Sequence, residues 1–176
     1  MTAPRSASDV RPRALLAAIA MAGLLLGRGS VSAEEWGGID PGVTTVDEVR
    51  ARYGAPSKET RTKAEGYETL RWVYEDTRAP GGIERMTIDY GLLTPQGYKP
   101  TVVRVLRLEP KPKVFGRKTV IQAWGVPDGI TKHNEMDVFF YKSGLLVNFD
   151  QGGDDAALLT FTLPQPGTPA PAAPKR

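Results

Sequence analysis

The chain runs to 176 residues, carries 23 Lys+Arg against 20 Asp+Glu for a formal net charge of +3, and contains no cysteine. Disulfides, a thiolate metal site and a lipid-acceptor cysteine are thereby excluded, so core packing alone must hold the fold. The surplus charge sits wholly in residues 1–33, where Arg5, Arg11, Arg13 and Arg28 face only Asp9; the remainder is neutral and lacks the net basic charge expected of a nucleic-acid-binding domain.

Residues 1–33 read as a secretory signal peptide. A basic start is followed by an apolar run over 14–27 and by Val31-Ser32-Ala33 before Glu34, the three-part pattern of such leaders. The run is shorter than the ~20 residues a spanning helix needs. Arg11-Pro12-Arg13 also lacks the adjacent arginines of a twin-arginine signal. Cleavage after Ala33 then places the chain in the periplasm or outside the cell, without a transmembrane anchor.

Residues 34–110 form a first unit. Thr45-Val46-Asp47-Glu48 has the capping-box pattern that opens a helix. Val46, Val49 and Tyr53 share a helical stripe, and Gly54 with Pro56 stops it. Large residues then alternate with polar ones over 68–75 (Leu70, Trp72, Tyr74) and over 85–90 (Met86, Ile88, Tyr90). A period of two marks half-buried strands. Ala79-Pro80-Gly81-Gly82 and Thr94-Pro95-Gln96-Gly97 supply turns, and 101–108 is a third strand.

Residues 111–163 repeat this order. A helix over 115–124 ends at Trp124-Gly125-Val126-Pro127, echoing Tyr53-Gly54-Ala55-Pro56, and strands follow over 137–141, 145–149 and 158–163. Phe139-Phe140-Tyr141 answers Trp72-Val73-Tyr74. Such self-similarity outranks local propensity as a clue to architecture. The expected fold is therefore α+β: two units of one helix and three antiparallel strands (αβββ-αβββ), their sheets side by side, with the helices on the face of Trp72, Tyr74, Phe139 and Tyr141. Residues 164–176 are Pro/Ala-rich and read as a disordered tail.

On the opposite sheet face the two units differ. The first presents Arg71, Arg85, Thr87 and Asp89, whereas the second presents Val138, Phe140, Leu146 and Leu158. An apolar cluster left open there marks an interaction site; the alternative is that these strands are buried on both faces. Val138, Phe140, Leu146, Leu158 and Arg71 are the candidate partner-binding residues.

Catalytic material is sparse. His133 is the only histidine and lies in a polar turn; beyond residue 33 the only serines are Ser57 and Ser143, both in turns. Asn148, Asp150, Asp154 and Asp155 flank Gly152-Gly153 but lack the spacing and closing glutamate of a calcium loop. No Walker-type glycine loop occurs. The expectation is a non-enzyme with no cofactor and no metal.

The run from Ile39-Asp40-Pro41-Gly42-Val43-Thr44-Thr45 through Val49, then Tyr53-Gly54-Ala55-Pro56, then Trp72-Val73-Tyr74, resembles the SmpA/OmlA (BamE-like) domain of the outer-membrane β-barrel assembly machinery. The tandem arrangement is similar to the β-lactamase-inhibitory-protein fold, in which two such units build a concave sheet that grips a partner. The resemblance implies a non-catalytic envelope module that binds another protein, in outer-membrane protein assembly or envelope integrity. The alternatives are an envelope lipid or peptidoglycan binder using a groove near the linker Lys111-Pro112-Lys113, and a secreted enzyme inhibitor.

Overall fold

The computed structural model describes residues 35–164; the leader over 1–33 and almost all of the expected tail lie outside the described residues. In chain order the elements are α1 (Val46–Tyr53), β1 (Lys58–Ala64), β2 (Tyr67–Glu75), β3 (Ile83–Thr94), β4 (Gly97–Pro110), α2 (Arg117–Trp124), β5 (Gly129–His133), β6 (Met136–Phe140), β7 (Leu145–Phe149) and β8 (Ala156–Phe161). All strands join one antiparallel sheet in the order β1-β2-β3-β4-β8-β7-β6-β5. No helix among the described residues is long and apolar enough to cross a membrane.

The expected α+β pair of helix-plus-three-strand units is corrected by this arrangement. Among the described residues the structure is mostly sheet: eight strands in a single sheet and two α-helices of eight residues each. The strands missing from the sequence reading are β1 and β5, which are the two outermost. β1 reads KETRTKA and has no large apolar residue, because nothing packs on its outer edge. Charged side chains of this kind keep an edge strand from pairing with other chains. The hairpins that create both strands are two-residue turns with positive φ at both positions: Glu65 and Gly66 (52° and 83°), and Asn134 and Glu135 (50° and 66°). Only one of those four residues is glycine, so the usual turn signal is weak.

The halves meet at β4 and β8, where Leu106, Arg107 and Leu108 pair with Phe161, Thr160 and Leu159. One face of the whole sheet forms the core. Trp72, Tyr74, Met86, Ile88, Leu106 and Leu108 line it in the first half, and Phe139, Tyr141, Leu145, Val147, Leu159 and Phe161 in the second. Both helices lie on this face and contribute Val49 and Val120 to the core.

The doubled motif acquires a physical meaning here. Tyr74 Oη donates to the carbonyl of Gly54 at 3.0 Å, and Tyr141 Oη donates to that of Gly125 at 3.0 Å. Each glycine ends a helix with positive φ, 75° and 81°, a conformation a side chain resists. That geometry turns a spare helix-end carbonyl toward the sheet, where a buried hydroxyl needs an acceptor. Burial pushes the Tyr74 pKa up to about 12, so the phenol remains a neutral donor. The repeated residues are thus the joints between each helix and its strands.

One irregularity shapes the opposite face. Within the β3–β4 pair, Asp89 faces Val105 and Tyr90 faces Val103, which leaves Arg104 as an extra residue. A bulge of this kind bends the strand and re-aims a side chain.

Candidate functional site on the open sheet face

Strand alternation places every second residue on the face away from the helices. One row crosses all eight strands: Lys58, Val73, Thr87, Arg107, Thr160, Leu146, Phe140 and Gly129. Its chemistry shifts across the sheet, with Lys58, Thr87 and Arg107 beside Val73 in the first half and Leu146 and Phe140 beside Thr160 in the second.

The candidate residues of the second half come together. Phe140 pairs directly with Leu146, and Val138 and Leu158 both pair with Asn148 one row away. Phe140, Leu146 and Leu158 are half-buried, whereas Val138 is buried at 6% exposure. The patch is therefore contiguous but neither fully open nor fully covered. Arg71 shares the face without joining the patch. It lies on β2, four strands from Leu146, roughly 19 Å at ~4.8 Å per strand.

Arg71 belongs instead to a charged cluster around Asp89. Its Nε and Nη2 donate to Asp89 Oδ1 and Oδ2 at 2.6 and 3.1 Å, and Arg107 Nη1 donates to Oδ2 at 2.6 Å. The Asp89 side chain is only 5% exposed. Burial alone pushes its pKa up, but the hydrogen bonds and charges of the two guanidiniums outweigh that and hold it below the ordinary carboxylate value. At the other end of the same strands the polarity reverses, with Arg85 held between Glu75 (3.2 Å) and Glu109 (3.0 Å).

No family model matches the chain and no curated protein matches it. Among solved structures it is similar to a DUF4309 family protein (YjgB) from Bacillus subtilis, with 11% identity and a TM-score of 0.47 over 74% of this chain and 85% of that one. At that TM-score neither fold nor function transfers.

The remaining polar candidates serve the backbone. Ser57 Oγ donates to the Glu75 carbonyl at 3.2 Å and accepts from the Glu75 N–H at 3.1 Å. Asp150 Oδ1 accepts from the Asp154 N–H at 3.2 Å, and Asp155 Oδ2 from the Lys113 N–H at 3.0 Å. These are turn bonds that tie loop and linker together. His133 is exposed at the end of β5, beside Asn134. Among the described residues no group of three or more His, Asp or Glu is placed to hold a metal ion.

Two features escaped the sequence reading. Ile121 on α2, Val126 in the loop after it and Ile130 on β5 are exposed at 36%, 82% and 63%. The offset that takes Tyr53 to Trp124 takes Arg50, Ala55 and Glu59 to these positions. In the first half, Arg50 lies over the Trp72 ring at 5.0 Å, and Glu59 Oε2 accepts from Trp72 Nε1 at 2.9 Å. Aligning the halves position by position shows Ile121 and Ile130 where the first half has Arg50 and Glu59. The second feature is a pair of cavities in the first half rather than at linker 111–113. One, of about 520 Å³, is walled by Val46, Leu70, Pro100 and Thr101 with Arg61 and Lys63. The other, of about 260 Å³, is lined by Thr60, Thr62, Thr69, Arg71, Asp89 and Arg104.

Proposed function

We propose that this chain is a non-catalytic binding module of the cell envelope that grips another protein across its open sheet face, in outer-membrane protein assembly or envelope integrity. The observation that carries the reading is the row crossing all eight strands on the helix-free face, with the apolar cluster Val138, Phe140, Leu146 and Leu158 in one half. A flat apolar patch beside fixed charges suits a protein partner: the apolar part supplies affinity, and the charges set orientation. The sequence resemblance to the SmpA/OmlA (BamE-like) domain supports the same reading.

The decisive residue is Phe140. Changing Phe140→Glu places a charge in the middle of the patch and should abolish partner crosslinking in the cell envelope, while far-UV circular dichroism and thermal unfolding stay close to those of the unaltered chain. If Phe140→Glu unfolds the protein, or if crosslinking persists, the patch is not the docking surface.

A further inference from the structure

The bulge at Arg104 puts a third guanidinium beside the Asp89 cluster, and the geometry there is that of a site with charge to spare. Arg71, Arg104 and Asp89 line the 260 Å³ cavity together with Thr60 and Thr62, and Arg107 closes on Asp89 from the next row. Two guanidiniums hold Asp89, and a third, that of Arg104, lines the same cavity without pairing to it, so three positive charges stand against one negative charge. Further along these strands Glu75 and Glu109 share the single Arg85, and that group forms a separate cluster at the other end of the strands.

The residues with donors to spare line one cavity. Arg71 uses Nε and Nη2 on Asp89, so its Nη1 has no protein acceptor among the described residues. Arg104 makes no side-chain hydrogen bond or ion pair among the described residues, and its side chain is exposed. The Thr60 hydroxyl likewise has no side-chain hydrogen-bond partner there, whereas Thr62 is occupied by Thr69 at 2.8 Å. Both oxygens of Asp89 accept from arginine, and the two bonds from Arg71 fix the orientation of its guanidinium.

We propose that Arg104, Arg71 and Thr60 form a binding site for a phosphate group on the open face of the first half. A phosphate monoester carries a charge of about −1.5 to −2 at pH 7 and offers several strong acceptors in a tetrahedral array. It matches two spare charges and donors arriving from three different strands. A carboxylate would balance only one of the charges. Arginine forks are well suited to oxyanions of this kind. The group reaches the site either as a soluble phosphate or as the headgroup of a phosphate-bearing lipid, which present the same chemistry.

The test uses the full chain with two probes: inorganic phosphate in calorimetry at constant ionic strength, and flotation with phosphatidylcholine vesicles containing phosphatidic acid. Binding should be saturable with at least one probe. Arg104→Gln should weaken it by about tenfold or more, the scale of one charge-assisted hydrogen bond, without altering the circular dichroism spectrum. Lys118→Gln, which removes an exposed charge elsewhere, should leave binding unchanged. Saturable binding of inorganic phosphate with no vesicle retention assigns the site to a soluble ligand; Arg104-dependent vesicle retention assigns it to a headgroup. Equal binding by Arg104→Gln and the unaltered chain, equal weakening by Lys118→Gln, acetate binding as tight as phosphate, or no binding of either probe overturns the proposal. Each result is independent of Phe140, which lies in the other half.

Discussion

Asp89 carries a burden out of proportion to its size. It is a carboxylate taken almost wholly out of water, on a sheet face where every neighbour could have been neutral, and it is stabilised by two guanidiniums. Its folded-state pKa is depressed below the ordinary 3.8. A depressed pKa means that the ionised form contributes stability above the unfolded value, and that this contribution is lost as pH falls through the lower folded value. Asp89→Asn should therefore destabilise the protein at pH 7 by about 1–3 kcal/mol. The loss stays below that of a stranded buried charge because Arg71 and Arg107, at 53% and 37% exposure, return to water. Urea unfolding at pH 7 and again below pH 3.8 checks the sign: the gap between variant and parent should shrink at the lower pH. A gap of the same size at both would show that the carboxylate's charge is not what matters.

At the scale of elements, the helices and central strands were legible because local signals coincide in them. Thr45 and Glu48 form the reciprocal bonds of the capping box, with the Thr45 N–H donating to Glu48 Oε2 at 2.7 Å. Trp72 and Tyr74 on β2, and Met86 and Ile88 on β3, alternate because one side faces the core. β1 and β5 were illegible for the opposite reason. An edge strand gains its place from backbone pairing with a neighbour, and pairing leaves no mark on side-chain pattern. The turn before β6 makes this concrete. Glu135 is held at φ 66°, which costs a side-chain-bearing residue roughly 1–2 kcal/mol, and where the equivalent turn before β2 has Gly66. Glu135→Gly should raise stability by up to about 1 kcal/mol, seen as a higher urea midpoint with an unchanged slope. A lower midpoint would mean that the Glu135 side chain makes a compensating contact.

For the whole molecule the seam decides most. Leu106 and Leu108 on β4 and Leu159 and Phe161 on β8 are fully buried and join the halves into one sheet. Leu159→Ala should cost about 2–5 kcal/mol, the range for emptying a core leucine site. Tryptophan fluorescence and far-UV circular dichroism should still trace a single coincident unfolding transition, because the cavity weakens a core that both halves share. Two separated transitions would show that the halves fold independently.

The amino-acid order was sufficient for the two capped or glycine-stopped helices and the aromatic core face. Each of these is written in spacings of two to seven residues, which local chemistry enforces. The strand count, the joining of both halves through β4 and β8, the two strands at the rims and the meeting of Arg71, Arg104 and Arg107 around Asp89 came only with the tertiary structure. These depend on which backbones pair and in what register, and on a single extra residue in β4. Hydrogen-bond pairing between distant segments is set by the packing of the whole sheet, so no stretch of sequence read alone contains it.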